Sequence, residues 1–212
     1  MNGDKPPIEA GTSMESQVVL KAIPGGREQA RGSDAAEKEI KSFALYDREK
    51  AYYELVQRFK RPLFFHALYM LKNEEEAKDV TQETFLRAYE EDRLFNEDFL
   101  IKAWLFRVTT NLCHNLLRSS KRKQKAVDVI LREEEPKGGA SDDLIVHEQN
   151  KEYLLNALDK LPKKDKTILL LRYYNNLSYK EISATLKCKL GTVMSRLGRA
   201  RERLSRSMRN AL

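Results

Sequence analysis

Residues 177–204 read LSYKEISATLKCKLGTVMSRLGRARERL, and this stretch predicts two helices joined by a tight turn. The first helix has two start signals, a capping box and a hydrophobic staple, formed by Ser178 with Glu181 and by Leu177 with Ile182. A break follows over residues 187–191. Beyond the break, apolar residues recur at helical spacing and predict one buried stripe: Val193, Leu197, Ala200 and Leu204. Two helices in this arrangement are typical of a helix-turn-helix.

The opposite face of the second helix carries donors suited to phosphate oxygens and base edges. In a helix-turn-helix the N-terminal end of this helix enters the major groove of DNA. The candidate base readers are therefore Lys189, Thr192, Met194, Ser195, Gly198 and Arg199. Arg196 is a further donor on the same face, and three cations further along suit phosphate contacts: Arg201, Arg203 and Arg206. The alternative is a solvated basic helix in an ordinary bundle.

The charge of the 212-residue chain is unevenly distributed around a formal total of +7. From Lys160 onward there are 14 Lys and Arg against 3 Asp and Glu, so the C-terminal part is the better binder of a polyanion. Between Glu74 and Asp98 the balance reverses to 10 acidic and 3 basic residues. This acidic patch suggests a basic protein partner, and a solvated helix face is the alternative.

The two cysteines, Cys113 and Cys188, lack the companions that a zinc site needs, and we expect them to be packing residues in a reducing cytoplasm. No apolar run approaches the length of a membrane span, and Lys21 interrupts the N-terminal apolar segment that a signal peptide would need. No metal, cofactor or catalytic set is indicated. We therefore expect a cytoplasmic protein that is not an enzyme.

The chain divides into four parts. Residues 1–34 are rich in Gly and Pro and predict a disordered extension, with a short turn of structure at 18–23. Residues 35–122 predict a helical domain with helices near 35–59, 62–72, 74–91 and 99–122. A Gly- and Pro-containing linker follows at 123–142, and residues 143–212 predict a second helical domain with helices near 143–160 and 162–174 before the helix-turn-helix. The fold class is all-α, with two small domains joined by a flexible linker.

Two helices of the first domain carry further candidate sites. The helix at 74–91 has a buried stripe through Ala77 and Val80, while Asp79, Gln82 and Glu83 fall outside it. The helix at 99–122 is apolar at first and becomes basic from Arg118. Its polar and basic residues form a candidate nucleic-acid face, which includes Asn111, Asn115, Arg118 and Arg122. A cation-rich helix end that suits the macrodipole is the alternative.

Four separate strings agree with one family: DVTQETFLRAY, WLFRVTTNLCHNLLR, LPKKDKTILLLRYYNNLSYKEI and GTVMSRLGRARERL. In this order and around such a linker, they resemble the extracytoplasmic-function class of bacterial sigma factors. The resemblance covers residues 46–122 and 143–208. It implies a sigma-2-like bundle, a sigma-4-like helix-turn-helix domain, and a promoter-specificity subunit that assembles with core RNA polymerase and promoter DNA.

The resemblance also assigns roles to residues. It places binding to the clamp of the largest polymerase subunit on Asp79, Gln82, Glu83 and Phe85. The flap of the second largest subunit is a further implied contact. It places capture of a −10 base at Asn111, with the loop Phe95 to Asp98, including Asn96, as the rest of the pocket. Members of the family often have Lys or Arg at the position of Met194 and an aromatic residue or His at that of Gly198, and this chain departs from both patterns. It also has Asn96 and Glu97 where a basic residue and glycine are common. Readout of the −35 element should therefore depend on Lys189, Ser195 and Arg199.

Other interpretations of the sequence stay open. A stand-alone helix-turn-helix regulator would bind an operator without polymerase, and an interaction scaffold would carry an accidental basic helix. The acidic DVTQETF helix favours the sigma factor, because an operator binder has no need of a polymerase-docking surface. Many relatives are held inactive by an anti-sigma factor, and the resemblance leaves that partner open.

Overall fold

The structure, a computed structural model, describes residues 33–130 and 148–209 of the chain. Regular structure within these ranges is helical, which confirms the all-α prediction. The first domain consists of α1 (Ser33–Ala44), α2 (Arg48–Leu71), α3 (Glu74–Glu90) and α4 (Ile101–Ile130). The second consists of α5 (Glu148–Asp159), α6 (Lys163–Leu169), a π-helical turn (Leu170–Tyr174), α7 (Tyr179–Leu186) and α8 (Leu190–Arg209).

Helices α2 and α3 form a tight antiparallel pair that organises the first domain. Lys72 ends α2 in the left-handed conformation, with φ 59°, and its N–H donates to the Leu68 carbonyl. Asn73 then begins α3, because its side chain accepts from the Glu76 N–H at 3.0 Å. This two-residue connection faces the apolar sides of both helices toward α4. Their buried residues include Leu55, Leu63, Ala77 and Val80.

The prediction of a helix break before Pro62 is wrong. The break falls over residues 45–47, and α2 runs without interruption through Pro62. Asp47 explains the new start, since its side chain accepts from the Lys50 N–H at 2.9 Å. A proline inside a helix costs about 3 kcal/mol, but Phe59 and Leu63 on either side are buried, and each such side chain contributes about 1.5–3 kcal/mol.

The helix-turn-helix forms as predicted. The Ser178 side chain accepts from the Glu181 N–H at 3.2 Å, and the Ser178 N–H donates to the Glu181 carboxylate at 2.6 Å, so the capping box is complete. Lys187 closes α7 in the left-handed conformation, with φ 48°. The stripe predicted on α8 is buried throughout: Val193, Leu197, Ala200 and Leu204.

Helix α4 is longer than predicted. It ends at Ile130 and not near residue 122, so it occupies the first part of the segment expected to be a linker. Residues 123–130 contain neither Gly nor Pro, and Pro136 is the first strong helix breaker in this part of the chain. The remainder of that segment and the N-terminal extension, with the turn expected at 18–23, lie outside the described residues.

The two domains pack against each other in one closed arrangement. The first turn of α4 contacts α7, where the Thr185 hydroxyl donates to the Ala103 carbonyl at 3.1 Å. Lys102, almost fully buried, reaches the Asn176 carbonyl at 3.3 Å and the Glu181 carboxylate at 3.5 Å. Two tyrosines, Tyr69 and Tyr174, meet edge to face across the same interface at 4.9 Å. The interface is therefore largely polar and aromatic.

Both cysteines are free thiols, and Cys113 is buried as expected of a packing residue. Burial raises the pKa of Cys113 to about 12, so this thiol stays protonated and unreactive. In the part of the chain that the structure describes, no group of three His, Cys, Asp or Glu side chains could hold a metal ion. None of the helices described there is long and apolar enough to cross a membrane.

Candidate nucleic-acid interface and docking groove

Helix α8 presents a continuous polar face to solvent. Met194, Ser195 and Arg199 are exposed on the side opposite the buried stripe. Both polar side chains turn along the helix, since Ser195 donates to the Thr192 carbonyl at 3.1 Å and Arg199 to the Ser195 carbonyl at 3.3 Å. Such bonds are weak and local, so DNA can replace them. The structure thus gathers these predicted base readers on one accessible surface.

Three further predicted readers flank that face. Lys189 is exposed just before α8, where its carbonyl accepts from the Thr192 N–H at 2.9 Å. Arg196 and Gly198 are half-buried at its edges. A methyl group built at Gly198 would meet no atom within 4 Å, so the missing side chain leaves open space on the surface. The surface of α8 is therefore open at this position.

Arg203 differs from the other cations of α8. Its guanidinium pairs with the carboxylate of Asp165, a mostly buried residue of α6. This ion pair ties α8 to α6 within the second domain. The role of Arg203 as a phosphate contact stays a prediction. The contact that the structure shows for Arg203 positions α8.

The candidate nucleic-acid face of the first domain lies along α4. Four exposed residues are spaced by four, three and four positions and therefore share one side of the helix: Asn111, Asn115, Arg118 and Arg122. In the neighbouring loop Phe95 is half-buried beneath the Arg48 guanidinium, which lies 5.9 Å from its ring centre, and Asn96 is exposed. On the same helix the half-buried Trp104 packs against Phe99, with the ring centres 6.0 Å apart.

Glu37 is a positioning residue that the sequence patterns did not indicate. Its carboxylate accepts from the backbone N–H groups of Ile101 and Lys102, at 3.2 and 2.8 Å, and so caps α4 from α1. Burial raises the pKa of Glu37, while the Lys102 N–H bond opposes the rise. Since Glu37 lies more than 60 residues before its partners, no local motif marks it.

The predicted polymerase-binding residues of α3 fall into two groups. Asp79 and Gln82 are exposed, and Glu83 pairs with Arg87 at 2.8 Å along the helix. Phe85 faces inward and is buried. The structure therefore places Phe85 beneath the polar surface and not on it.

Phe85 forms part of a groove between α2 and α3. The groove has a volume of about 690 Å³, and its apolar lining includes Tyr52, Val56, Phe64 and Leu86. The Tyr52 hydroxyl donates to the Phe85 carbonyl at 2.7 Å and fixes one wall. Basic residues also line it: Lys60, Arg61 and Lys78. The α2 side of this groove escaped prediction, because only the packing of the two helices brings its residues together.

Comparison with known families assigns both domains. The Sigma-70 region 2 model matches residues 55–123, and the Sigma-70 region 4 model matches residues 151–204. The first match covers most of α2, all of α3 and most of α4, and the second covers most of α5 through most of α8. Each match therefore contains one of the two candidate nucleic-acid faces.

Characterised proteins show the same likeness over longer spans. The chain is 30% identical over 182 residues to the ECF RNA polymerase sigma factor SigW of Bacillus subtilis, covering 82% of this chain and 96% of that protein. It is 34% identical over 132 residues to the ECF RNA polymerase sigma-E factor of Salmonella typhimurium, covering 58% of this chain and 69% of that protein.

The fold resembles that of a solved sigma factor. The sigma factor RpoE, in its co-crystal structure with the anti-sigma factor NepR from Bartonella quintana, aligns with a TM-score of 0.59 at 24% identity. The alignment covers 76% of this chain and 98% of that chain. At this identity the comparison concerns the fold alone.

Proposed function

Since the chain belongs to the sigma-70 family of RNA polymerase sigma factors, in its extracytoplasmic-function class, we propose that its two domains divide promoter recognition between them. Proteins of this family are initiation factors that direct RNA polymerase to promoters. In the proposed division, the first domain docks on core polymerase and opens the −10 element. The second domain binds the −35 element as duplex DNA.

Polymerase docking is proposed at the groove between α2 and α3. An apolar groove of this volume suits an inserted hydrophobic side chain of a partner helix. The exposed Asp79 and Gln82 lie on the same helix as Leu86, whose side chain is 54% exposed at the groove. They supply hydrogen-bond acceptors for basic residues of the polymerase clamp. Apolar burial provides the affinity, and the polar residues set the orientation.

Strand opening is proposed along the exposed face of α4. Asn111 holds the base that leaves the duplex, because an amide offers both a donor and acceptors to a base edge. Arg118 and Arg122 lie about two and three turns further along the same face and neutralise backbone phosphates. Extrusion of a base costs a few kcal/mol, which these contacts offset. The Phe95 loop forms the apolar side of the pocket.

Readout of the −35 element is proposed for the N-terminal half of α8. Arg199 has the length and planar donors for a bidentate contact with guanine, and Ser195 suits several bases. Lys189, exposed just before α8, is the third proposed base reader. The open surface at Gly198 brings the helix close to the DNA backbone.

Partners and location follow from the same proposal. Core RNA polymerase and promoter DNA are the principal partners, in the cytoplasm, and the protein acts without catalytic chemistry of its own. An anti-sigma factor is a further proposed partner, because a sigma factor with the same fold was solved with one.

One observation carries the proposed function: a basic recognition face on α8 and an apolar groove beside an acidic helix occur on the same chain. The test is in vitro transcription of a randomised promoter library by sigma-free core polymerase, with and without the protein. We expect new starts downstream of two enriched motifs. If no new starts occur and the protein alone retains specific duplexes, the proposed function is wrong and an operator-binding regulator replaces it.

A further inference from the structure

The closed arrangement buries a histidine where the two domains meet. His66 of α2 is fully buried. Its Nδ1 atom lies 2.9 Å from the side-chain nitrogen of Asn175, which follows the π-helical turn of the second domain. Its Nε2 atom lies 3.0 Å from the Thr110 hydroxyl of α4. One ring thus joins both domains.

The amide of Asn175 determines which protonation state of His66 fits. The same side-chain nitrogen also donates to the Leu170 carbonyl at 3.2 Å, which fixes the orientation of the amide. Nδ1 of His66 must therefore accept, and Nε2 carries the proton toward Thr110. A second proton on Nδ1 would face the NH₂ group of Asn175. While the amide keeps this orientation, with its Oδ1 buried and unpaired, neutral His66 is the form that suits the contact.

A second histidine bridges the domains nearby. His114 of α4 lies 3.3 Å, through Nε2, from the Thr167 hydroxyl of α6. Burial lowers its pKa, and the positive charges of Arg118, Lys163 and Lys164 lower it further. Protonation of His114 would therefore add a like charge to a basic cluster drawn from both domains.

The surroundings of His66 favour its neutral form from every side. From α4 it faces Phe106, Thr110 and His114, and from the second domain it faces Asn175. The neighbouring phenols, Tyr69 and Tyr174, have pKa values raised by burial and stay neutral. Cross-domain ion pairs occupy other parts of the interface: Lys72 with Asp159 and Lys102 with Glu181.

We propose that the contact between His66 and Asn175, supported by that between His114 and Thr167, is a proton-sensitive latch that holds the two domains closed. Neutral histidines keep the latch shut. Protonation breaks the contact with Asn175 and places a buried charge at the interface, so the domains separate. Separation is needed to place two recognition domains on promoter elements about two helical turns, or roughly 68 Å, apart.

The direction of the pH effect follows from the pKa of His66. Burial, with a contribution from the positive form of His114, lowers this pKa from 6.5 to about 3 in the closed arrangement. In the open arrangement the Nδ1 side of the ring loses Asn175 and meets water, so its pKa rises toward its ordinary value. The closed arrangement is therefore most stable above pH 6.5 and loses stability as pH falls from 6.5 toward 3. Between pH 7.5 and 5.5 the opening constant should rise by up to about tenfold through His66 alone, the upper limit being reached if its pKa returns fully to 6.5.

Domain separation can be measured without DNA or polymerase, so the result does not depend on the proposed function. Dyes are attached to Glu90→Cys and Glu202→Cys, two exposed positions in different domains, with Cys188→Ser removing the accessible thiol. Energy transfer is followed from pH 7.5 to 5.5 in the full chain. We expect a reversible loss of transfer, with far-UV circular dichroism unchanged.

Three variants decide whether His66 is responsible. His66→Gln should remove most of the pH response, and the addition of His114→Gln should remove the rest. Asn175→Asp should invert the response, because a carboxylate beside the ring stabilises its protonated form in the closed arrangement. His147→Gln replaces the third histidine and serves as the matched control, which should keep the native response.

Two results would overturn the proposal. One is constant energy transfer across this pH range in the native chain. The other is a native pH response in both His66→Gln and Asn175→Asp. If His66→Gln fails to fold, Asn175→Asp still tests the latch, because for that variant we expect an inverted pH response and not merely a lost one.

Discussion

Helices α3 and α8 both carry many charged residues, but they arrange them in opposite ways. On α3 the cations pair with acids of the same helix: Lys78 with Glu74 at 2.9 Å and with Glu75 at 3.0 Å, and Arg87 with Glu83 at 2.8 Å. On α8, among the described residues, Arg203 alone has a carboxylate partner, which lies on α6. The exposed arginines that remain are free to meet a polyanion.

The difference shows that charge content alone does not reveal how a helix binds. Charges paired within α3 contribute little to binding at a distance, so we expect the apolar groove beside this helix to hold the proposed polymerase partner. The unpaired cations of α8 create a field that phosphates neutralise. One surface should therefore bind through apolar contact and the other through electrostatics.

A change in salt concentration should distinguish binding at the two surfaces more strongly than any single substitution. If about four cations of α8 contact phosphates, duplex affinity should fall about 100-fold between 50 and 200 mM salt, because condensed counterions are released on binding. Binding to core polymerase should change less than about tenfold over the same range. Fluorescence anisotropy with labelled −35 duplex and with labelled core polymerase measures both. Equal salt slopes would contradict the comparison.

Arg199→Ala should show that α8 reads bases as well as phosphates. Loss of a guanidinium from the exposed face should remove about 1–3 kcal/mol of discrimination at one −35 position. The matched control is Arg206→Ala, further along the helix, which should weaken all duplexes about equally. Affinities for a set of single-base duplex variants measure the difference. Unchanged base preference in the Arg199→Ala protein would remove this residue from the readers.

Leu86→Ala should weaken polymerase binding about tenfold. The side chain lines the groove, and burial of its removed carbons contributes about 1–2 kcal/mol. Leu45→Ala is the matched control, since Leu45 is 80% exposed at the turn between α1 and α2 and does not line the groove. Titration of labelled core polymerase compares the two. Equal losses would place the docking surface elsewhere.

Gly198→Ala should have the smallest effect and should stabilise the second domain. A methyl group at this position meets no atom within 4 Å, and alanine is favoured over glycine inside a helix by about 0.5–1 kcal/mol. Gly191→Ala, in the first turn of the same helix, should stabilise less. Urea unfolding followed by far-UV circular dichroism measures both. A lower free energy of unfolding in the Gly198→Ala protein would contradict the open space at this position.

Local chemistry explains which features were predictable from the sequence. The capping box of Ser178 and Glu181 and the stripe through Val193 and Leu197 depend on residues a few positions apart, and both are confirmed. The break at Pro62 was wrong because a local helix breaker was weighed without the burial of its neighbours. Propensity is a weak prior when tertiary packing opposes it.

Contacts between distant segments explain what the sequence could not predict. The groove needs Tyr52 of α2 beside Phe85 of α3, and the latch needs His66 beside Asn175, more than 100 residues further along the chain. One signal did exist, since His66 interrupts an otherwise apolar stripe on α2. A histidine in such a stripe marks a buried polar contact, but it does not name the partner.

The length of α4 gives the closed arrangement a mechanical consequence. Its 30 residues form a rod of about 45 Å, and its first turn is hydrogen-bonded to Glu37 of α1 and to Thr185 of α7. A rotation of the helix by about 10° about this first turn would displace the far end by about 8 Å. At Asn111, about 15 Å along the helix, the same rotation gives a displacement of about 3 Å, so a partner that pulls the second domain away would shift this face without touching it.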